Sequence, residues 1–204
     1  MKKKTRKKNS ISRKMSPTVL LFTNGRTEEI YFKEFQRNEN KSALVVKPIF
    51  ANGEMSSFIT EIKGQLRNSD VREYFSKADK VFFVFDFDNH TSEEIIETFK
   101  GLKEIAGKKA RIYFSNFSFE LWLLAHSQKV QGYKDQKQLQ SALEKIYKIE
   151  KGKWGKHKTD DQLIKGIVTE WRVAVENCCH FENDLYQKYL VNPWTNIAHL
   201  FNEL

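Results

Sequence analysis

Lys80-Val81-Phe82-Phe83-Val84-Phe85-Asp86-Phe87-Asp88-Asn89-His90 is the stretch that decides the fold, because nowhere else does a continuous apolar run end so abruptly in acid. Five consecutive apolar residues, Val81 to Phe85, predict a strand buried on both faces, the kind found in a parallel sheet covered by helices. Side chains alternate along a strand, so Asp86 and Asp88 leave one face at the carboxyl end while Phe85 and Phe87 leave the other. Two carboxylates at one mouth repel unless a proton or a cation lies between them. Hard oxygen donors suit Mg²⁺, Mn²⁺ or Ca²⁺. Asp-Phe-Asp-Asn also reads as a turn handing the chain to a helix that starts near Ser92, since Asp and Asn are common where strands end.

Working outward, the same arrangement recurs on both sides. Pro17 to Asn24 is a short apolar strand that ends at Asn24-Gly25-Arg26-Thr27. Thr27 reads as an N-cap with Glu28 and Glu29 in the first turn, and Tyr31, Phe32 and Phe35 follow at helical spacing to about Asn38. Residues 43–50 predict a second strand. Residues 55–78 read as helical with a break near Asn68-Ser69, residues 92–106 as helix, and Ala110 to Ser115 as a fourth strand. Alternation of this kind predicts an α/β fold: a mostly parallel sheet flanked by helices, with its ligand crevice outside the carboxyl ends of the strands. Asn24-Gly25, Asp86 with Asp88, and Ser115-Asn116 all fall at such ends.

Beyond the fourth strand the pattern is helical. Ser118 reads as the N-cap of a mainly buried helix through His126, in which Glu120 either complements the helix dipole or reaches the acidic mouth. His126, one turn past Trp122, reads as a satisfied buried imidazole or as a ligand. Residues 136–148 predict a helix, residues 160–183 a long one, and Thr195 caps the last. Between them, Lys151, Lys153, Trp154, Lys156, His157 and Lys158 interleave basic groups with one aromatic. That pattern suits a base stacked beside a phosphate contact, or a solvated loop with Trp154 folded back on the body.

The chain has 204 residues, 40 % hydrophobic and 13 % aromatic, enough for one domain with a substantial core. No apolar run approaches the roughly 18 residues of a membrane span, and the basic start leads into no apolar signal segment, so the expected place is the cytoplasm. Cys178 and Cys179 are neighbours and cannot form an ordinary disulfide or a zinc site alone. Of the net charge of +9, the residues Lys2, Lys3, Lys4, Arg6, Lys7, Lys8, Arg13 and Lys14 supply eight with no acid among them. The rest of the chain is nearly neutral. Residues 1–16 therefore read as a basic, disordered tail, either able to touch phosphates without sequence specificity or simply a solubilising or ribosome-adhering terminus.

Gly25-Arg26-Thr27-Glu28 with Tyr31-Phe32, Asp86-Phe87-Asp88, Ser115-Asn116 with Phe119-Glu120-Leu121-Trp122 and His126, and Asn192-Pro193 with Thr195 together resemble the RloB-like proteins, in the same order along the chain. The resemblance implies a Toprim-like core over residues 17–127 and a helical extension over residues 128–204 packed on it. It also implies anti-phage defence by abortive infection, as in the small subunit of systems such as AbiL, alongside an AAA-type ATPase partner. Toprim domains use a glutamate after the first strand as general acid/base and an Asp-x-Asp pair to hold Mg²⁺ for phosphodiester chemistry. Asp86 and Asp88 match that pair, and Mg²⁺ (or Mn²⁺) is the implied cofactor.

The departure is Asn24, which stands where the family pattern has glutamate; an amide can neither take a proton nor neutralise a cation. Glu28 and Glu120 are the replacement candidates. One expectation is a Mg²⁺-dependent nuclease whose catalytic residues are Glu28, Asp86, Asp88 and Glu120, with Asn24, Arg26 and the Lys151 to Lys158 loop contacting DNA or RNA. The other is a degenerate Toprim-like subunit that binds nucleic acid, or senses phage, without cutting.

Overall fold

A computed structural model describes residues 18–50, 55–87, 90–181 and 193–204, with Met55 described for its backbone alone. The expected basic tail and Asp88 lie outside these residues. Four parallel strands, β1 (Val19–Thr23), β2 (Leu44–Pro48), β3 (Lys80–Asp86) and β4 (Ala110–Asn116), form most of a five-stranded sheet. A two-residue strand β5 (Trp194–Thr195) adds to β4 antiparallel, giving the order β2-β1-β3-β4-β5. The fold is α/β with a mostly parallel sheet flanked by helices, as the sequence pattern predicts. β3 is its middle strand. Val81 to Phe85 are all buried, and β1 and β4 pair with β3 on either side.

Alternation along β3 sorts the two helical layers. Phe85 and Phe87 point to a layer built from α2 (Met55–Gln65) and α4 (Ser92–Ala106), where Phe58 and Phe99 meet the Phe85 ring at 5.3 and 6.3 Å. Phe87 also stacks on Phe114 of β4 at 3.9 Å. Phe82 points the other way, against Tyr113. That second layer holds α1 (Arg26–Asn38), α5 (Glu120–Ala125), α8 (Asp161–Val168), α9 (Trp171–Cys178) and α10 (Ile197–Phe201). Its aromatic seam runs Tyr31, Phe32, Trp122, Phe201 and Trp171, with Phe201 stacked on Trp122 at 5.1 Å and on Trp171 at 5.3 Å. Aromatic pairs of this geometry contribute about 0.5–1.5 kcal/mol each beyond area burial, so the seam ties the C-terminal helices to α1.

The expected break near Asn68-Ser69 is present. The Asn68 side chain accepts from Asp70 N and starts α3 (Ser69–Lys77). α4 opens with a reciprocal cap in which Thr91 accepts from Glu94 N while Glu94 accepts from Thr91 N. Four expectations are corrected. Helix α1 starts at Arg26 after Gly25, and Thr27 is buried inside it rather than capping it. α5 starts at Glu120, and Ser118 makes no cap bond. Of the long helix expected over residues 160–183, the described part is two helices, α8 and α9, parted at Thr169-Glu170, while residues 182–183 lie outside the described residues. The Lys151 to Lys158 loop contains a one-turn helix α7 (Trp154–His157), after α6 (Gln136–Ile146).

The last segment also departs from expectation. Trp194 and Thr195 complete the sheet, with Thr195 Oγ1 against Ser115 Oγ at 3.0 Å and Trp194 against Phe114 at 4.7 Å. Asn196 is fully buried; its Oδ1 accepts from Phe114 N at 2.7 Å and its Nδ2 donates to Ile112 O at 3.1 Å. One side chain therefore satisfies two backbone groups along β4 where a two-residue strand cannot. Asn196→Ala leaves both unpaired in the interior, with an expected loss of about 2–4 kcal/mol and a Tm drop on the order of 10 °C. Chemical denaturation showing a loss below about 0.5 kcal/mol would remove this role for Asn196.

Candidate active site

β1, β3 and β4 are adjacent and parallel, so their carboxyl ends bring Asn24-Gly25, Asp86 and the Ser118-Phe119-Glu120 turn to one edge. The chain moves to opposite sides of the sheet after β1 and after β3, which makes this edge the switch point where open α/β sheets bind ligands. Asn24 stays on the ladder through its N–H to Val84 O at 3.1 Å. The next residue lies under the Glu28 carboxyl. An ideal methyl on Gly25 would overlap Glu28 Oε2 and stand 3.0 Å from its Cδ and Oε1, because the Glu28 side chain folds back over the Gly25 Cα. The backbone of Gly25 is extended (φ 171°), so a side chain here would meet the Glu28 carboxyl rather than a forbidden torsion.

Glu28 is 4 % exposed. Burial pushes its carboxyl up to about 7; the charge of Glu120 adds to this, while its own backbone N–H and Lys158 act the other way. Asp86, half-buried at the end of β3, is held well above the usual carboxylate range, first by desolvation and then by Glu28 and Glu120. The nearby Phe119 backbone N–H and the Lys158 charge act the other way. Glu120, buried on α5, accepts from Trp154 Nε1 at 3.1 Å and lies 3.6 Å from Lys158 Nζ, both at Oε1.

Three carboxyl groups from three βα junctions thus sense one another, with one ammonium beside them. Of the four expected catalytic residues, the structure brings together Glu28, Asp86 and Glu120. Asp88 lies outside the described residues, and among those described no group of three or more His, Cys, Asp or Glu is close enough as placed to hold an ion. The donor set is nonetheless one that hard divalent cations favour: carboxylate oxygens, poorly solvated, with repulsion that an ion would relieve.

Of the two readings of Trp154, the structure has the ring folded back on the body, not free for stacking. Trp154 is 1 % exposed, with its backbone N–H donating to Glu144 Oε1 at 2.9 Å and its indole to Glu120, so its ring has no face left for a base. Lys151, Lys156 and His157 are exposed and Lys153 half-buried. Lys158 turns inward to Glu120 instead of outward with them. Arg26 is half-exposed and paired with Glu29 at 2.7 Å. His126 is the satisfied imidazole of the two readings: its Nδ1 bonds Trp122 O at 2.9 Å, its Nε2 meets Tyr31 Oη at 3.0 Å, and burial lowers it to about 4. Sequence reading missed the inward role of Lys158 and the Glu144 anchor beneath Trp154. No local spacing links these residues to Glu120, since the contact is made by folding the α6–α7 connection across α5.

The shifts have opposite consequences for stability. Glu28, raised from 4.5 to about 7, binds more protons folded than unfolded in that window, so its contribution is complete below the lower value and lost as pH rises through the upper. His126, lowered from 6.5 to about 4, binds fewer protons folded, so its contribution is lost as pH falls through that window. With chelator present, the Tm advantage of the wild type over Glu28→Gln should shrink as pH rises between about 4.5 and 7, a comparison in which the opposing His126 contribution, common to both proteins, cancels. Identical pH profiles for the two proteins would place the titration elsewhere.

Among the described residues no helix is long and apolar enough to cross a membrane. No curated protein and no solved structure matches the chain. A family model described as RloB-like protein matches residues 19–204, which include β1 to β5 and all of the acidic edge. The chain belongs to the RloB-like protein family.

Proposed function

We propose that this protein is a Mg²⁺- or Mn²⁺-dependent nuclease of anti-phage defence, acting by abortive infection with an AAA-type ATPase partner, in which Glu28 replaces the Toprim glutamate that Asn24 lacks. One observation carries the reading: the Glu28 carboxyl folds back over Gly25, next to the position where that motif has its acid. Its pKa near 7 suits proton transfer at neutral pH, since a general acid/base works best when it titrates near the operating pH. Asp86 and Glu120, with Asp88, would hold the divalent ion. Once bound, the ion supplies charge neutralisation of the scissile phosphodiester. Glu28 takes the proton of the attacking water and returns it toward the leaving oxygen. The Trp154 indole fixes Glu120, so that carboxyl does not have to be ordered during reaction. The exposed Lys151, Lys156 and His157, with the basic N-terminal residues, give the electrostatic attraction for DNA or RNA.

Asn24 supports a second reading, a catalytically degenerate subunit that binds nucleic acid or senses phage for its ATPase partner. The two separate by cleavage of single- and double-stranded DNA and RNA by the purified protein with Mg²⁺ and Mn²⁺. In the nuclease reading, Glu28→Gln lowers kcat by about 10²- to 10⁴-fold with little change in KM, and Asp86→Ala abolishes cleavage. The wild-type rate rises with pH to a plateau above about 7, as Glu28 loses its proton. Cleavage that survives Asp86→Ala would sink the nuclease reading. If neither the wild type nor Asn24→Glu cuts while metal stabilises both, the binding reading stands.

A further inference from the structure

The acidic edge contains its own cation. Lys158 Nζ lies 3.6 Å from Glu120 Oε1, and the Lys158 side chain is 41 % exposed while that of Glu120 is 6 % exposed. Lys158 is the residue after α7, and α7 is fastened at its other end by Trp154, which is buried and bonded through its backbone to Glu144 and through its indole to Glu120. The next residues are fixed too, since Asp160 accepts from Gln162 N and Leu163 N at the start of α8. The backbone on both sides of Lys158 is held, so its flexible stem alone decides where the ammonium sits. That stem has a solvent side to swing into. Trp154 does not, and its indole stays on the same carboxylate oxygen.

An ammonium at this distance from a buried carboxylate favours it electrostatically and opposes any second cation placed there. We propose that Lys158 is a resident counter-cation of the acidic edge, occupying Glu120 when no divalent ion is bound and displaced toward solvent when one enters. The inference rests on the metal-dependent reading above and adds a competition that sets how tightly the ion is held. It makes Lys158 a positioning residue for Glu120, distinct from the exposed lysines of the same segment.

The test uses the full chain and Mn²⁺ alone. Lys158→Met removes the competitor and should tighten Mn²⁺ binding by about tenfold in a calorimetric titration, while Lys158→Arg, which keeps the charge, stays near the wild type. On the unmutated protein, acylation of the Lys158 amine followed by mass spectrometry should accelerate when Mn²⁺ is added, with Lys151 and Lys156 unchanged. Equal or weaker Mn²⁺ binding by Lys158→Met, or a Lys158 acylation rate indifferent to Mn²⁺, overturns the proposal while leaving the metal site itself standing. Absence of Mn²⁺ binding in wild type and Lys158→Met alike overturns the metal-dependent reading and this inference with it.

Discussion

The repulsion between carboxyl groups at the carboxyl edge of β3 is the constraint on which the rest of the arrangement depends. An apolar strand buried on both faces ends in Asp86, and Glu28 and Glu120 are delivered beside it from the two flanking junctions. In a poorly solvated site such groups stay only if they are protonated, hydrogen-bonded or matched by a cation. All three remedies are in place. Glu28 and Asp86 have raised pKa values, the Trp154 indole donates to Glu120, and Lys158 supplies a positive charge. A polypeptide that keeps such groups together in a poorly solvated place meets a standing energetic penalty.

The helical layer that follows β4 is what makes these remedies available. The seam from Tyr31 through Trp122 and Phe201 to Trp171 binds α5, α9 and α10 to α1, and the Tyr31 hydroxyl also fixes His126 as a neutral packed ring. With α5 anchored, the α6–α7 connection can cross it and place Trp154 and Lys158 on Glu120. The segment after α9 then returns to the sheet, where Asn196 closes β4 against a strand of only two residues. The C-terminal third is thus part of the same unit as the sheet edge that it serves.

How much of this was legible follows from the range of the interactions. Local patterns were readable: the apolar run of β3, the alternation that separates Asp86 from Phe85, the Asn68 break, and the helix start near Ser92 all depend on neighbours a few residues away. Glu28 and Glu120 were legible as candidates, because an acid in the first turn after a parallel strand must lie near the carboxyl edge. The sequence leaves Trp154 either stacking or folded back, because a basic segment with one aromatic has the same composition whether that aromatic faces solvent or a buried glutamate. The two-residue β5 carries too few residues for any period to show.

The sequence by itself determined the α/β alternation, the central apolar strand with its terminal acid, and the family to which the chain belongs, since each is written in local periodicity or in motifs that keep their order. Only the tertiary structure decided that Glu28 folds over Gly25, that Lys158 faces Glu120 rather than solvent, and that His126 is a satisfied core imidazole. Those outcomes depend on which side chains from distant segments share one poorly solvated volume. Charge, hydrogen bonding and proton affinity are set there by the neighbours that folding supplies.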